Sequence, residues 1–146
     1  MFKAVKDNME GADILIKSAA VADYTPVAVS DEKMKKSDSD MSISLKRTTD
    51  ILGYVAANKR QGLFVCGFSM ETQNMVENSK AKLLKKNLDM VVANNLKVEG
   101  AGFGVSTNVV TLITKDSIDE LPLLSKDEVG MRILDKIKEM RDGSSN

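Results

Sequence analysis

Apolar positions come in short blocks whose spacing changes along the chain. Phe2, Val5 and Met9 recur at helical spacing, which predicts an amphipathic helix over residues 1–9, stopped by Gly11. Residues 14–19 read as a buried strand that runs out in small side chains. Residues 20–40 hold Ser, Asp and Lys with little apolar content, a long loop for a compact domain and so a candidate functional segment. Residues 41–46 alternate apolar and polar, the period of a half-exposed strand. A helix is predicted next, to about Lys59, with Thr49 as N-cap and Asp50 in its first turn, where a carboxylate suits the helix dipole. Beyond it come a buried strand at 63–68, a helix at 74–87, a buried strand at 90–93, a glycine-rich turn at 100–104 and a strand at 108–114. Ser125-Lys126-Asp127-Glu128 has the form of a capping box. It opens a last helix with Val129, Ile133, Ile137 and Met140 on one stripe, and the tail from Asp142 is expected to fray.

Strands that alternate with helices imply a mainly parallel, doubly wound α/β sheet with an antiparallel strand or hairpin added. The chain of 146 residues suits one domain, and no internal repeat is visible. Lysine plus arginine balance aspartate plus glutamate at 21 each, so the basic excess that duplex nucleic acid demands is missing. No apolar run reaches membrane-spanning length and no signal peptide is apparent, so a cytoplasmic protein free of membrane and nucleic acid is expected. Cys66, the only cysteine, lies inside an apolar strand and reads as a small buried hydrophobe. With no histidine, a Ser-His-Asp triad and histidine zinc sites are excluded. Chemistry must then rest on lysine, carboxylates, backbone amides or a metal ion carried by a ligand, a set suited to phosphate and nucleotide reactions.

Several ordered segments carry a resemblance. Ser18-Ala19-Ala20-Val21-Ala22-Asp23-Tyr24-Thr25-Pro26 closes the first strand, and Glu32-Lys33-Met34-Lys35-Lys36 follows on the loop. Gly67-Phe68-Ser69-Met70-Glu71-Thr72 closes the next buried strand. A lysine-bearing helix with Lys80, Lys82, Lys85 and Lys86 leads to a strand ending in Ala93-Asn94. In this order, over most of residues 12–113, the pattern resembles the phosphopantothenoylcysteine synthetase domain of coenzyme A biosynthesis in its bacterial, CTP-using form. The resemblance implies a Rossmann-like fold and a two-step ligase reaction. The carboxylate of 4'-phosphopantothenate attacks the α-phosphorus of CTP and expels pyrophosphate, and the amine of cysteine then displaces CMP from the acyl-cytidylate.

It also implies site residues. Lys33 would be the main catalytic cation, reaching the triphosphate from its loop, and Lys82 and Lys86 would share one helix face and meet base or phosphate oxygens. Lys80 and Lys85 would face solvent. Asp23 would accept ribose hydroxyls or cytosine amine hydrogens, or reach a metal; as a turn former it would do none of these. Ala19 and Ala20 would give the acyl substrate room and backbone contacts. Thr48, Thr49, Asp50 and Ile51 match a segment that is commonly Asn-Pro-Asp-Ile in the family, which leaves backbone contacts to the nucleotide more secure than side-chain ones. Phe68 would lay its ring or backbone against cytosine, or belong to the core. Mg2+ would accompany CTP, and no flavin is expected in this segment. Family members are typically dimeric and often fused to a flavin-dependent decarboxylase. The family pattern also starts with a glycine-rich strand-turn-helix not visible here, so residues 1–146 are expected to be the C-terminal portion of the synthetase domain and inactive alone. A dinucleotide-binding oxidoreductase domain and a non-catalytic nucleotide-binding dimerisation module are the alternatives.

Overall fold

The computed structural model describes residues 1–35, 40–71, 73–95, 98, 101 and 104–143. The elements are α1 (Phe2–Asn8), β1 (Ile14–Lys17), β2 (Tyr24–Pro26), β3 (Leu45–Arg47), α2 (Ile51–Ala57), β4 (Phe64–Glu71), α3 (Met75–Lys85), β5 (Met90–Asn95), β6 (Thr107–Asn108), β7 (Val110–Thr114), β8 (Ile118–Glu120), β9 (Leu124–Ser125) and α4 (Lys126–Gly143). Five strands form the main sheet in the order β1-β4-β5-β7-β8. The first three run parallel, with Ile16 beside Cys66 and Cys66 beside Met90. β7 and β8 add an antiparallel hairpin, as the fold class anticipated.

Alternation along the central strands sends side chains to two cores. Val65, Val91 and Ile113 face Ile51, Leu52, Val55 and Leu83 of α2 and α3, with Met9 after α1. Cys66, Met90, Val92 and Leu112 face Val129, Ile133 and Ile137 of α4. The predicted stripe of the last helix is therefore its buried face. Cys66 is fully buried, and burial pushes its thiol up to about 12, which suits packing rather than reactivity. The capping box forms: Ser125 Oγ accepts from Glu128 N at 3.2 Å, and Glu128 Oε2 accepts from Ser125 N at 2.9 Å. Ser125→Ala is expected to cost about 1 kcal/mol, read as a lower denaturation midpoint at unchanged slope.

Other expectations need correction. The segment at 20–40 is not wholly loop, since Tyr24–Pro26 pairs with Leu45–Arg47 in a separate antiparallel ribbon. The strand read at 41–46 shifts to that short segment, and Met41, Ile43 and Leu45 stay exposed because no core faces the ribbon. The N-cap of α2 is Asp50, not Thr49, because the Asp50 carboxylate reaches the Gly53 amide at 2.9 Å. The helix also ends at Ala57, short of Lys59. Residues 108–114 split into β6 and β7, because Val109 N turns to the Asn108 side chain. Of the tail expected to fray from Asp142, Asp142 and Gly143 lie inside α4, and residues 144–146 lie outside the described residues. Lys36, Thr72, Gly100, Gly102 and Phe103, which the sequence reading used, lie outside the described residues. Among the described residues no helix is long and apolar enough to cross a membrane.

Candidate functional site

β1, β4 and β5 share a direction, so their carboxyl ends open on one edge of the sheet, where ligands of such sheets collect. A cavity of about 700 Å³ lies there. The loop leaving β1 and the segment entering α2 form one wall. Thr48 ties them together, its N–H donating to the Asp23 carbonyl at 2.9 Å and its hydroxyl to the Ala22 carbonyl at 2.7 Å. Ala19, Ala20, Asp23, Thr48, Thr49, Asp50 and Ile51 all line this cavity, and Phe68, Lys82 and Lys86 line it from β4 and α3. Lys33 does not, and stands exposed on the segment beyond β2.

Lys82 on α3 and Lys86 at its C-cap differ in setting. Lys82 is half-buried and its Nζ donates to the Phe68 carbonyl at 2.7 Å. Burial lowers its pKa from the ordinary lysine value, repulsion from Lys17 and Lys86 adds to this, and Glu71 and Asp50 oppose it. Lys86 is ion-paired with Asp50. The hydrogen bond from Lys86, then the one from the Gly53 amide, holds the Asp50 carboxyl below its usual range, with burial opposing. A side chain at position 53 would crowd this arrangement, since a Cβ there would lie 2.7 Å from Asp50 Oδ2.

Asp50 thus links helix capping to the site, and its depressed pKa carries a sign. The ionised form is favoured in the folded state, so the gain is present above the ordinary carboxylate value and lost as pH falls through the lowered one. Asp50→Asn is expected to lower Tm at neutral pH. That gap should close as the solution is acidified below 3.8, as followed by thermal melts across pH.

Sequence reasoning missed Lys17, Arg47, Ser69, Met70 and Asn94, which also line the cavity. Lys17 is the last residue of β1, and strand-end position was a usable signal for it. Arg47 stacks over the Tyr24 ring, 5.6 Å from its centroid. That contact exists only because β2 and β3 pair, and the pairing was not legible. In all, Lys17, Arg47, Lys82 and Lys86 face Asp23 and Asp50, leaving a surplus of positive charge suited to a polyanion. Among the described residues no group of three or more Asp, Glu, His or Cys is placed to hold a metal.

A three-layer α/β domain with a cation-lined cleft at the carboxyl ends of its parallel strands is a nucleotide- or phosphate-binding class of protein. Within that class, the chain belongs to the DNA/pantothenate metabolism flavoprotein C-terminal domain family, whose model matches residues 1–140. A coenzyme A biosynthesis bifunctional protein CoaBC from Bacillus subtilis is 48% identical over 138 residues, 94% of this chain and 34% of that protein. The protein of the same name from Escherichia coli is 36% identical over 140 residues, 94% of this chain and 34% of its own length. The chain therefore spans about a third of these curated relatives. The crystal structure of the C-terminal domain of a CoaBC is 36% identical with a TM-score of 0.77, over 97% of this chain and 61% of that one.

Proposed function

We propose that this chain carries the CTP site of a phosphopantothenate–cysteine ligase, which forms 4'-phosphopantothenoyl-cysteine through an acyl-cytidylate. The observation that carries the reading is the convergence of Lys17, Lys82 and Lys86 on one cleft in a member of this family. The first step joins two anions, so cations must offset their repulsion and support charge on the departing pyrophosphate. Lys82, short of water and held by a carbonyl, is poised to trade that partner for a phosphate oxygen. Lys86 would exchange Asp50 for the nucleotide in the same way. Asp23 takes the ribose, the backbone at 48–51 takes nucleotide oxygens, and Ala19 and Ala20 leave space for the acyl substrate.

In this reading Lys33 reaches the triphosphate only once its segment folds over the cleft, which would also shield the acyl-cytidylate from water. Mg2+ enters with CTP as part of the substrate, held mainly by phosphate oxygens. The exposed apolar side chains of the β2–β3 ribbon and its flanks, Val27, Met41, Ile43 and Leu45, support a homodimer contact. A fused flavin-dependent decarboxylase and a cytoplasmic location complete the proposal for the whole protein. Family membership favours the ligase over the oxidoreductase and the passive nucleotide-binding module.

The test uses the full-length protein with Mg·CTP and phosphopantothenate but no cysteine. Pyrophosphate and acyl-cytidylate should appear together, and cysteine should then release CMP. No pyrophosphate release under these conditions would defeat the proposal.

A further inference from the structure

Arg47 lines the cleft, and the reading above gives it no ligand. Its setting differs from that of the lysines there. Lys17 Nζ donates to the Ala19 carbonyl at 3.0 Å, Lys82 Nζ donates to the Phe68 carbonyl at 2.7 Å, and Lys86 is paired with Asp50. Among the described residues the Arg47 guanidinium makes no hydrogen bond or ion pair. It is held by an aromatic face instead, 5.6 Å from the centroid of the Tyr24 ring. The ribbon builds this contact in, since Tyr24 and Arg47 stand opposite each other in the β2–β3 register and leave the same face. Stacking restrains a long side chain without using any of its N–H donors. The fork is thus presented to the cavity with part of its rotamer freedom already given up.

Arg47 also stands apart from the lysines. Leu15 packs on the α2–α3 side of the sheet and Lys17 keeps its parity, and Lys17 and Lys86 both repel Lys82 there. Arg47 is not among the charges that shift Lys82 or Asp50. The cavity therefore has two separate cationic points, a lysine cluster and one guanidinium on the ribbon wall that Thr48 ties to Ala22 and Asp23. Two anionic substrates must share this space. The acyl substrate has to bring its carboxylate to the α-phosphorus while its own phosphate stays clear of the triphosphate, because like charges repel. A cation set away from the lysine cluster suits that far phosphate, and a guanidinium fork engages its oxygens two at a time.

We propose that Arg47 binds the terminal phosphate of the acyl substrate, and that Tyr24 is the positioning residue that holds it there. The inference rests on the ligase reading and deepens it.

The test uses the full-length protein, with Tm as the control for folding and native mass as the control for assembly. Arg47→Gln is expected to raise the KM for phosphopantothenate about tenfold to a hundredfold, the scale of a lost hydrogen bond to a charged group. The KM for CTP should stay near wild type. Pantothenate keeps the carboxylate and lacks the phosphate, so its inhibition constant should not change. Lys46→Gln is the matched control, since Lys46 leaves the opposite face of the ribbon outside the cavity, and it should keep wild-type kinetics. Tyr24→Leu should raise the KM for phosphopantothenate about threefold, and Tyr24→Phe, which restores the ring, should return it to the wild-type value. In the Arg47→Gln background Tyr24→Leu should add nothing. A wild-type KM for phosphopantothenate in Arg47→Gln would overturn the proposal, as would an equal rise for CTP, a matching rise for pantothenate or a loss of native mass. A full Tyr24→Leu effect in the Arg47→Gln background would overturn the positioning role. Failure of the ligase reading shows separately, as a wild-type protein that releases no pyrophosphate from CTP, and this inference falls with it.

Discussion

Lys82→Gln in the full-length protein is expected to lower kcat/KM for CTP about a hundredfold or more, the scale seen when one preorganised charge-stabilising group is removed. The size follows from its setting. An exposed lysine is well solvated and offers a ligand little that water does not, but Lys82 is half-buried and its pKa is already lowered by burial. Its present partner is a neutral carbonyl, so an incoming phosphate gives it a stronger, charge-assisted bond. Glutamine keeps a polar side chain one atom shorter and without the charge, and the Phe68 carbonyl at the cavity edge can turn to water, so Tm should change little. Lys80→Gln is the matched control, since Lys80 is exposed on the same helix outside the cavity. It should keep wild-type kinetics; equal losses in both variants would reduce Lys82 to a contributor of general charge.

The largest expected loss of stability is at the other face of the sheet. Ile137 is 1% exposed in the cluster that joins α4 to β4, β5 and β7. Ile137→Ala removes buried methyl groups and leaves a cavity, which is expected to cost about 3–4 kcal/mol by chemical denaturation. Leu134, 51% exposed on the same helix, marks the contrast, and Leu134→Ala should stay within about 0.5 kcal/mol of wild type. Because α4 is the helix that covers this face, a small effect at Ile137 would mean that it is loosely attached.

Much of this arrangement was legible in the sequence where local pattern and tertiary role agree. The runs at 63–68 and 90–93 are continuous because both faces of β4 and β5 are covered, and the stripe from Val129 to Met140 has one core to meet. Failures came where a distant partner decides. Thr49 and Asp50 are both good caps by composition; Thr48 bonds to Ala22 and Lys86 pairs with Asp50, and neither contact can be seen in a local window. The ribbon of Tyr24–Pro26 with Leu45–Arg47 pairs segments far apart in sequence, so Pro26 and the shortness of each run masked a strand. The site followed the same rule. Ten of the eleven candidates line one cavity because strand ends and helix faces gather them, whereas Lys33 sits on a long segment whose position no periodicity determines. Lys17 and Asn94 were missed for a simpler reason: each is a polar residue at the end of an apolar run, informative only once the strand ends are known to converge.

A second cavity of about 600 Å³ sits at the amino ends of β4 and β5, lined by Lys59, Arg60, Asn87, Asp89 and Arg141 among others, and it offers a fair rival site for a nucleotide. Its lysine is already committed, Lys59 Nζ lying 2.7 Å from Asp89 Oδ2. Amide chemical-shift mapping of the labelled protein titrated with Mg·CTP decides between them. The expected result is perturbation at Ala19, Ala20, Thr48 to Ile51, Phe68 and Lys82, saturating with CTP. Shifts gathered instead at Lys59, Arg60 and Asn87, with the carboxyl ends of the strands silent, would contradict a nucleotide site in the cationic cleft.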